Sequence, residues 1–97
     1  MSDVHILIVE DEKINAEDLR IQLEQLHYHV SDWAKSGEEA IMMARENRPD
    51  LIMMDIVLAG QMNGIETAKK LNKELDIPVI FTTSPSLAAL RARPARA

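Results

Sequence analysis

Asp55 stands inside an apolar run, with Leu51, Ile52, Met53 and Met54 before it and Ile56, Val57 and Leu58 after it. A purely structural position there would more cheaply be apolar, because a carboxylate taken out of water needs a partner. A second acidic group, Glu10, Asp11 and Glu12, ends the apolar run that begins at Val4. A third run, Val79 to Phe81, ends in hydroxyls at Thr82, Thr83 and Ser84. Carboxylates brought close together repel one another, and a cation relieves that cost. Hard oxygen donors suit Mg²⁺, and by the same donor preference Mn²⁺; Mg²⁺ commonly keeps waters and takes one or two carboxylates plus a phosphate. A carboxylate in such a site can attack phosphorus and form an aspartyl phosphate.

This chemistry requires the acids to meet, so the elements that carry them matter. Val4 to Asp11 is β-branched and apolar and reads as a buried strand. Residues 12–28 follow as a helix, with Ile14, Leu19, Leu23 and Leu26 as its apolar positions. Tyr28 to Ala34 reads as a second, shorter strand. The next helix has Ser36 or Gly37 as its cap, Glu38 and Glu39 in its first turn and Arg45 near its end, an order that suits the helix dipole. Pro49 stops it. Asp50 to Asp55 is the third strand, and residues 64–76 form a third helix with Ile65, Ala68, Leu71 and Leu75 on one stripe. The fourth strand is entered through Pro78.

The βαβαβαβ alternation predicts a parallel sheet with helices on both faces. Ligands of such sheets bind beyond the carboxyl ends of the strands, where the strand order reverses. The first strand ends there in Glu10 and Asp11, the third in Asp55 and the fourth in Thr82 and Thr83. With the first and third strands as neighbours, the three acids converge and Thr83 approaches from the next strand.

Composition narrows the function classes. The chain has 97 residues, 46% hydrophobic and 28% charged, which fits one small globular domain. Its net charge of −5 disfavours nucleic acid or an anionic membrane as a partner. It holds no cysteine, which removes disulfides and thiolate chemistry. No apolar run approaches a membrane span and no secretory signal is evident, so a cytoplasmic location is expected. His5, His27 and His29 do not share metal-ligand spacing; His27 and His29 lie near the first helix's end, where a cation is favourable. Met42, Met43, Met53 and Met54 read as core filler, and Trp33 as partly buried packing. The arginines of Leu90–Ala97 have no aromatic neighbours and form a weak nucleic-acid signal.

The segments HILIVEDE, PDLIMMDIVLAGQMNGIE and IPVIFTTS, in this order and spacing, resemble the receiver domain of two-component response regulators. The resemblance covers Val4 to about Ser84. It implies a flavodoxin-like, doubly wound α/β sheet of strand order 2-1-3-4, here lacking the family's usual fifth strand and helix. It divides the chain into a receiver-like domain at 1–84 and a short C-terminal helix and tail at 85–97. It implies that Asp55 accepts a phosphoryl group from a sensor histidine kinase or phosphotransfer protein. Glu10, Asp11, Asp55 and the backbone carbonyl of Val57 would hold Mg²⁺, and Thr83 would contact the phosphoryl group and move on activation. The family's lysine at the end of the fifth strand has no counterpart, since no lysine follows Lys73.

Two other functions compete with this one. A Mg²⁺-dependent phosphatase forming an aspartyl phosphate usually carries two acids spaced by one residue after its first strand, whereas this chain has VEDE there and its lone acid after the third. A phosphorylation-independent dimerisation module fits the missing lysine and fifth strand. A flavin site is disfavoured because no Ser/Thr/Gly-rich phosphate loop follows the first strand. Without a fifth strand, the fourth becomes an uncharged, β-branched edge, which predicts a homodimer formed by edge pairing or exchange of C-terminal elements.

Overall fold

The computed structural model describes residues 4–55 and 63–82. Its elements run β1 (His5–Val9), α1 (Lys13–Gln25), β2 (His29–Ala34), α2 (Gly37–Glu46), β3 (Leu51–Asp55), α3 (Gly64–Leu75) and β4 (Val79–Thr82). The strands form one sheet of order β2-β1-β3-β4, and every pairing is parallel. This is the parallel sheet the alternation predicts, in the flavodoxin-like strand order the resemblance implies. The expected C-terminal helix at 85–97 lies outside the described residues.

β1 and β3 are the two internal strands, and β1 is covered on both faces, with Ile6, Leu7, Ile8 and Val9 all buried. Alternation sends these residues to opposite faces. Leu7 and Val9 join Ile52, Met54, Ala40, Ala44 and Leu71 in the larger core beneath α2 and α3. Ile6 and Ile8 join Ala16 and Leu23 beneath α1.

Three expectations about apolar faces are corrected. On α1 the buried line is Ala16, Leu19 and Leu23. Ile14 points away from that line and is 81% exposed, because at 100° per residue it lies far around the helix from Ala16 and Leu19. Leu26 is exposed as well. The helix stops before it: His27 adopts a left-handed φ of 71°, and Tyr28 N–H reaches back to the Leu23 carbonyl at 3.1 Å while His27 N–H bonds Glu24. This Schellman pattern turns the chain, so Tyr28 falls outside β2. On α3, Ile65 is exposed and Thr67 is buried in its place. The Thr67 hydroxyl is satisfied by donating to the Asn63 carbonyl at 2.8 Å. Met54 is core as expected, but Met42 is exposed on α2.

The helix starts are set by capping. Ser36 Oγ accepts from Glu39 N–H at 3.2 Å. Asn63 and Glu66 form a reciprocal capping box, with Glu66 N–H donating to Asn63 Oδ1 at 2.8 Å and Asn63 N–H to Glu66 Oε1 at 3.3 Å. Asn63→Ala is expected to destabilise the domain by about 1 kcal/mol; a urea-unfolding midpoint equal to wild type would show that the box contributes nothing.

β2 carries an irregularity that matters for the site. Its register with β1 shifts between Ile6 and Leu7, so Ile6 pairs with Val30 but Leu7 pairs with Asp32. Strict alternation would put Val30 and Trp33 on opposite faces. The extra residue, Ser31, lets both pack with Ile6 and Ile8 on the α1 side.

Candidate functional site

The site is built by register. Val9, the last residue of β1, pairs with Met54, which places Glu10 beside Asp55 at the carboxyl ends of the two central strands. Glu10, Asp11 and Asp55 each offer a carboxylate oxygen, and these atoms all lie within 4.8 Å of one another. Glu10 is buried, Asp55 half-buried and Asp11 exposed, so the cluster grades from the sheet towards solvent.

Burial pushes the Glu10 carboxyl up to about 7, opposed by a hydrogen bond from the Glu12 backbone N–H and reinforced by the charge of Asp55 and by Asp11. That N–H lies 3.1 Å from Glu10 Oε2. The direction is that of a carboxylate set which lacks sufficient positive charge for full ionisation. Hard oxygen donors that disfavour their own joint ionisation are the donor set that a small divalent cation fits.

Asp55 pairs in register with Thr82 of β4, so the hydroxyl-ended strand does lie next to the acid. Thr83 and Val57, expected to contact the phosphoryl group and the cation, lie outside the described residues, as does Ser84. No helix among the described residues is long and apolar enough to cross a membrane.

Two contacts were not legible in the sequence. Trp33, read only as packing, donates its indole N–H to the Glu10 carbonyl at 2.7 Å. His5 and His29, which share no ligand spacing along the chain, are register partners with ring centroids 4.8 Å apart in a T-shaped contact. They sit at the opposite end of the sheet from the acids, where Asp50 Oδ2 accepts from the His5 backbone N–H at 2.8 Å. Parallel pairing alone brings them together, and only the strand register reveals it.

Fold and acids together define a parallel α/β domain with its site at a crossover in strand order. The chain matches the family model of the response regulator receiver domain over residues 6–95, and it belongs to that family. It is 41% identical over 80 residues to the phyllosphere-induced regulator PhyR of Methylorubrum extorquens, covering 81% of this chain and 30% of that protein. It is 37% identical over 82 residues to protein PilH of Pseudomonas aeruginosa, covering 81% of this chain and 66% of that one. Among solved structures, the anti-anti-sigma factor PhyR of Bartonella quintana, complexed with the anti-sigma factor NepR, is similar at a TM-score of 0.80 and 33% identity, over 95% of this chain and 38% of that chain. This chain spans 30% to 36% of the length of several such relatives.

Proposed function

We propose that this receiver domain is a phosphoacceptor whose acceptor is Asp55. The observation that carries the reading is the convergence of Glu10, Asp11 and Asp55, with ligand atoms within 4.8 Å of one another, beyond the carboxyl ends of β1 and β3. An Asp55 carboxylate oxygen attacks the phosphorus of a phosphohistidine on a sensor histidine kinase or phosphotransfer protein. A P–O bond forms and the P–N bond breaks, the electron pair staying on the imidazole nitrogen, which gains a proton. Glu10, Asp11, Asp55 and the Val57 carbonyl would hold Mg²⁺ or Mn²⁺, which supplies charge neutralisation for the transferring group. Thr83, next in the chain after the Asp55 partner Thr82, would contact a phosphoryl oxygen. The role is that of a cytoplasmic signalling module, whose only chemistry is its own phosphorylation.

Incubation with acetyl phosphate and Mg²⁺, followed by peptide mapping, tests the reading. A single phosphoryl group on the peptide containing Asp55 supports it. Modification at another residue, or none in the presence of bound cation, overturns it.

The interaction-module reading draws on a separate observation. Among the described residues β4 pairs only with β3, and its Ile80 is exposed. Beside it, a groove of about 350 Å³ is lined by Ala68, Lys69, Asn72, Val79 and Phe81. An apolar strand edge of this kind is a pairing template, and two-fold closure is the commonest way to cover one. A second copy of the chain is the proposed occupant, giving a homodimer. Sedimentation velocity across the micromolar range is expected to show a concentration-dependent shift from monomer to dimer, weakened by Ile80→Lys. A soluble, folded monomer throughout that range would sink the dimer.

A further inference from the structure

Trp33 is the sole tryptophan of the chain. It is half-buried and packs on the α1 side with Ile6, Ile8 and Ala16. Packing alone does not require its indole N–H to end 2.7 Å from the Glu10 carbonyl. Two features of the chain bring it there. The register shift between Ile6 and Leu7 turns Trp33 onto the α1 side of the sheet, as bulges beside functional sites re-aim side chains. The ladder between β1 and β2 also ends at the site: Glu10 N–H donates to the Ala34 carbonyl at 2.9 Å, and the Glu10 carbonyl lies one step beyond.

That carbonyl belongs to the peptide joining Glu10 to Asp11. A peptide unit is planar, so a bond to its oxygen restrains the tilt of the whole unit and with it the direction in which Asp11 leaves the strand. With Glu12 N–H on its carboxylate at 3.1 Å, Glu10 is held at its N–H, its carbonyl and its side chain. The indole is itself held from outside, since Lys35 Nζ lies 5.5 Å from its ring centroid.

We propose that Trp33 is a positioning residue for the cation site: its bond to the Glu10 carbonyl sets the Glu10–Asp11 peptide so that both carboxylates face Asp55. The inference rests on the acid cluster being a divalent-cation site. It also makes Trp33 a built-in reporter, because Asp11, which would help hold the cation, leaves the strand from the very peptide whose oxygen the indole bonds. Trp33→Phe removes the donor and keeps a smaller aromatic ring for packing, so a separate packing variant is needed beside it.

The test is Mn²⁺ binding by calorimetry to the wild-type chain, Trp33→Phe, Val30→Ala and Asp11→Ala, together with the indole N–H resonance of the wild type during a Mg²⁺ titration. Trp33→Phe is expected to weaken Mn²⁺ binding by about three- to tenfold, the equivalent of one lost hydrogen bond. Val30→Ala removes packing from the same cluster without touching Glu10, and should lower the unfolding midpoint while leaving Mn²⁺ affinity unchanged. Asp11→Ala should abolish binding. The single indole resonance should shift with Mg²⁺ and saturate with the calorimetric midpoint. Unchanged affinity in a folded Trp33→Phe overturns the proposal and leaves the cation site standing; a wild-type chain that binds no cation overturns both. If Trp33→Phe does not fold, the wild-type resonance decides alone: one that stays fixed while the cation binds overturns the positioning role.

Discussion

Asp55→Asn is expected to abolish phosphorylation by acetyl phosphate and Mg²⁺ completely, while the fold is kept. The substitution is nearly isosteric, and the backbone of residue 55 still pairs with Thr82. What changes is the proposed nucleophile: a carboxamide has no anionic oxygen to form the acyl phosphate. Stability is not expected to fall. Removing one charge from a cluster whose acids lie within 4.8 Å of one another relieves repulsion. Intact mass after phosphodonor treatment, with urea unfolding as the control for folding, checks both halves. A variant phosphorylated as fully as the wild type would place the acceptor elsewhere.

The second large effect concerns pH and metal together. Glu10 goes from an ordinary value of 4.5 to about 7 in the folded chain, first through burial. The folded state therefore binds more protons than the unfolded state between those values. Stability falls with pH wherever the native state holds the extra proton. The domain should thus be most stable near pH 5, lose stability as pH rises towards 7, and level off above it. Between about pH 5 and pH 8 the loss is on the order of 2–3 kcal/mol. Mg²⁺ favours the ionised acids, so its stabilising effect should be small at pH 5 and large at pH 8. Urea midpoints from pH 5 to 8, in EDTA and in excess Mg²⁺, read the two curves. Glu10→Gln should flatten the EDTA curve; a slope unchanged in that variant would assign the titration to another group.

Both effects depend on acids that the sequence points out. Asp55 is legible because a carboxylate inside an apolar run has a desolvation cost that demands a reason, and Glu10 and Asp11 because they end the most apolar strand. The same local logic makes the helix starts readable. Ser36 or Gly37 as the cap is read from the residue types around it, and the bond from Glu39 N–H to Ser36 Oγ selects Ser36. Parallel α/β architecture follows from the alternation of periodicities.

What local patterns do not carry is rotation and register. Ile14, Leu26 and Ile65 are apolar and lie in helical segments or at a helix end, yet they are exposed. Which few residues face the sheet depends on where a helix ends and how it docks, and Leu26 is lost to the stripe by a turn at His27. The charge state of Glu10 is likewise a tertiary property: its shift comes from burial and from residues as far along the chain as Asp55. The Ser31 bulge decides that Trp33 faces α1 and reaches the Glu10 carbonyl. Strand pairing alone sets His5 against His29. The side chains proposed to carry the chemistry stand out locally, because the cost of a carboxylate and the preference of a cap depend on near neighbours. Which of them meet is settled by register and packing, which join residues that no spacing along the chain relates.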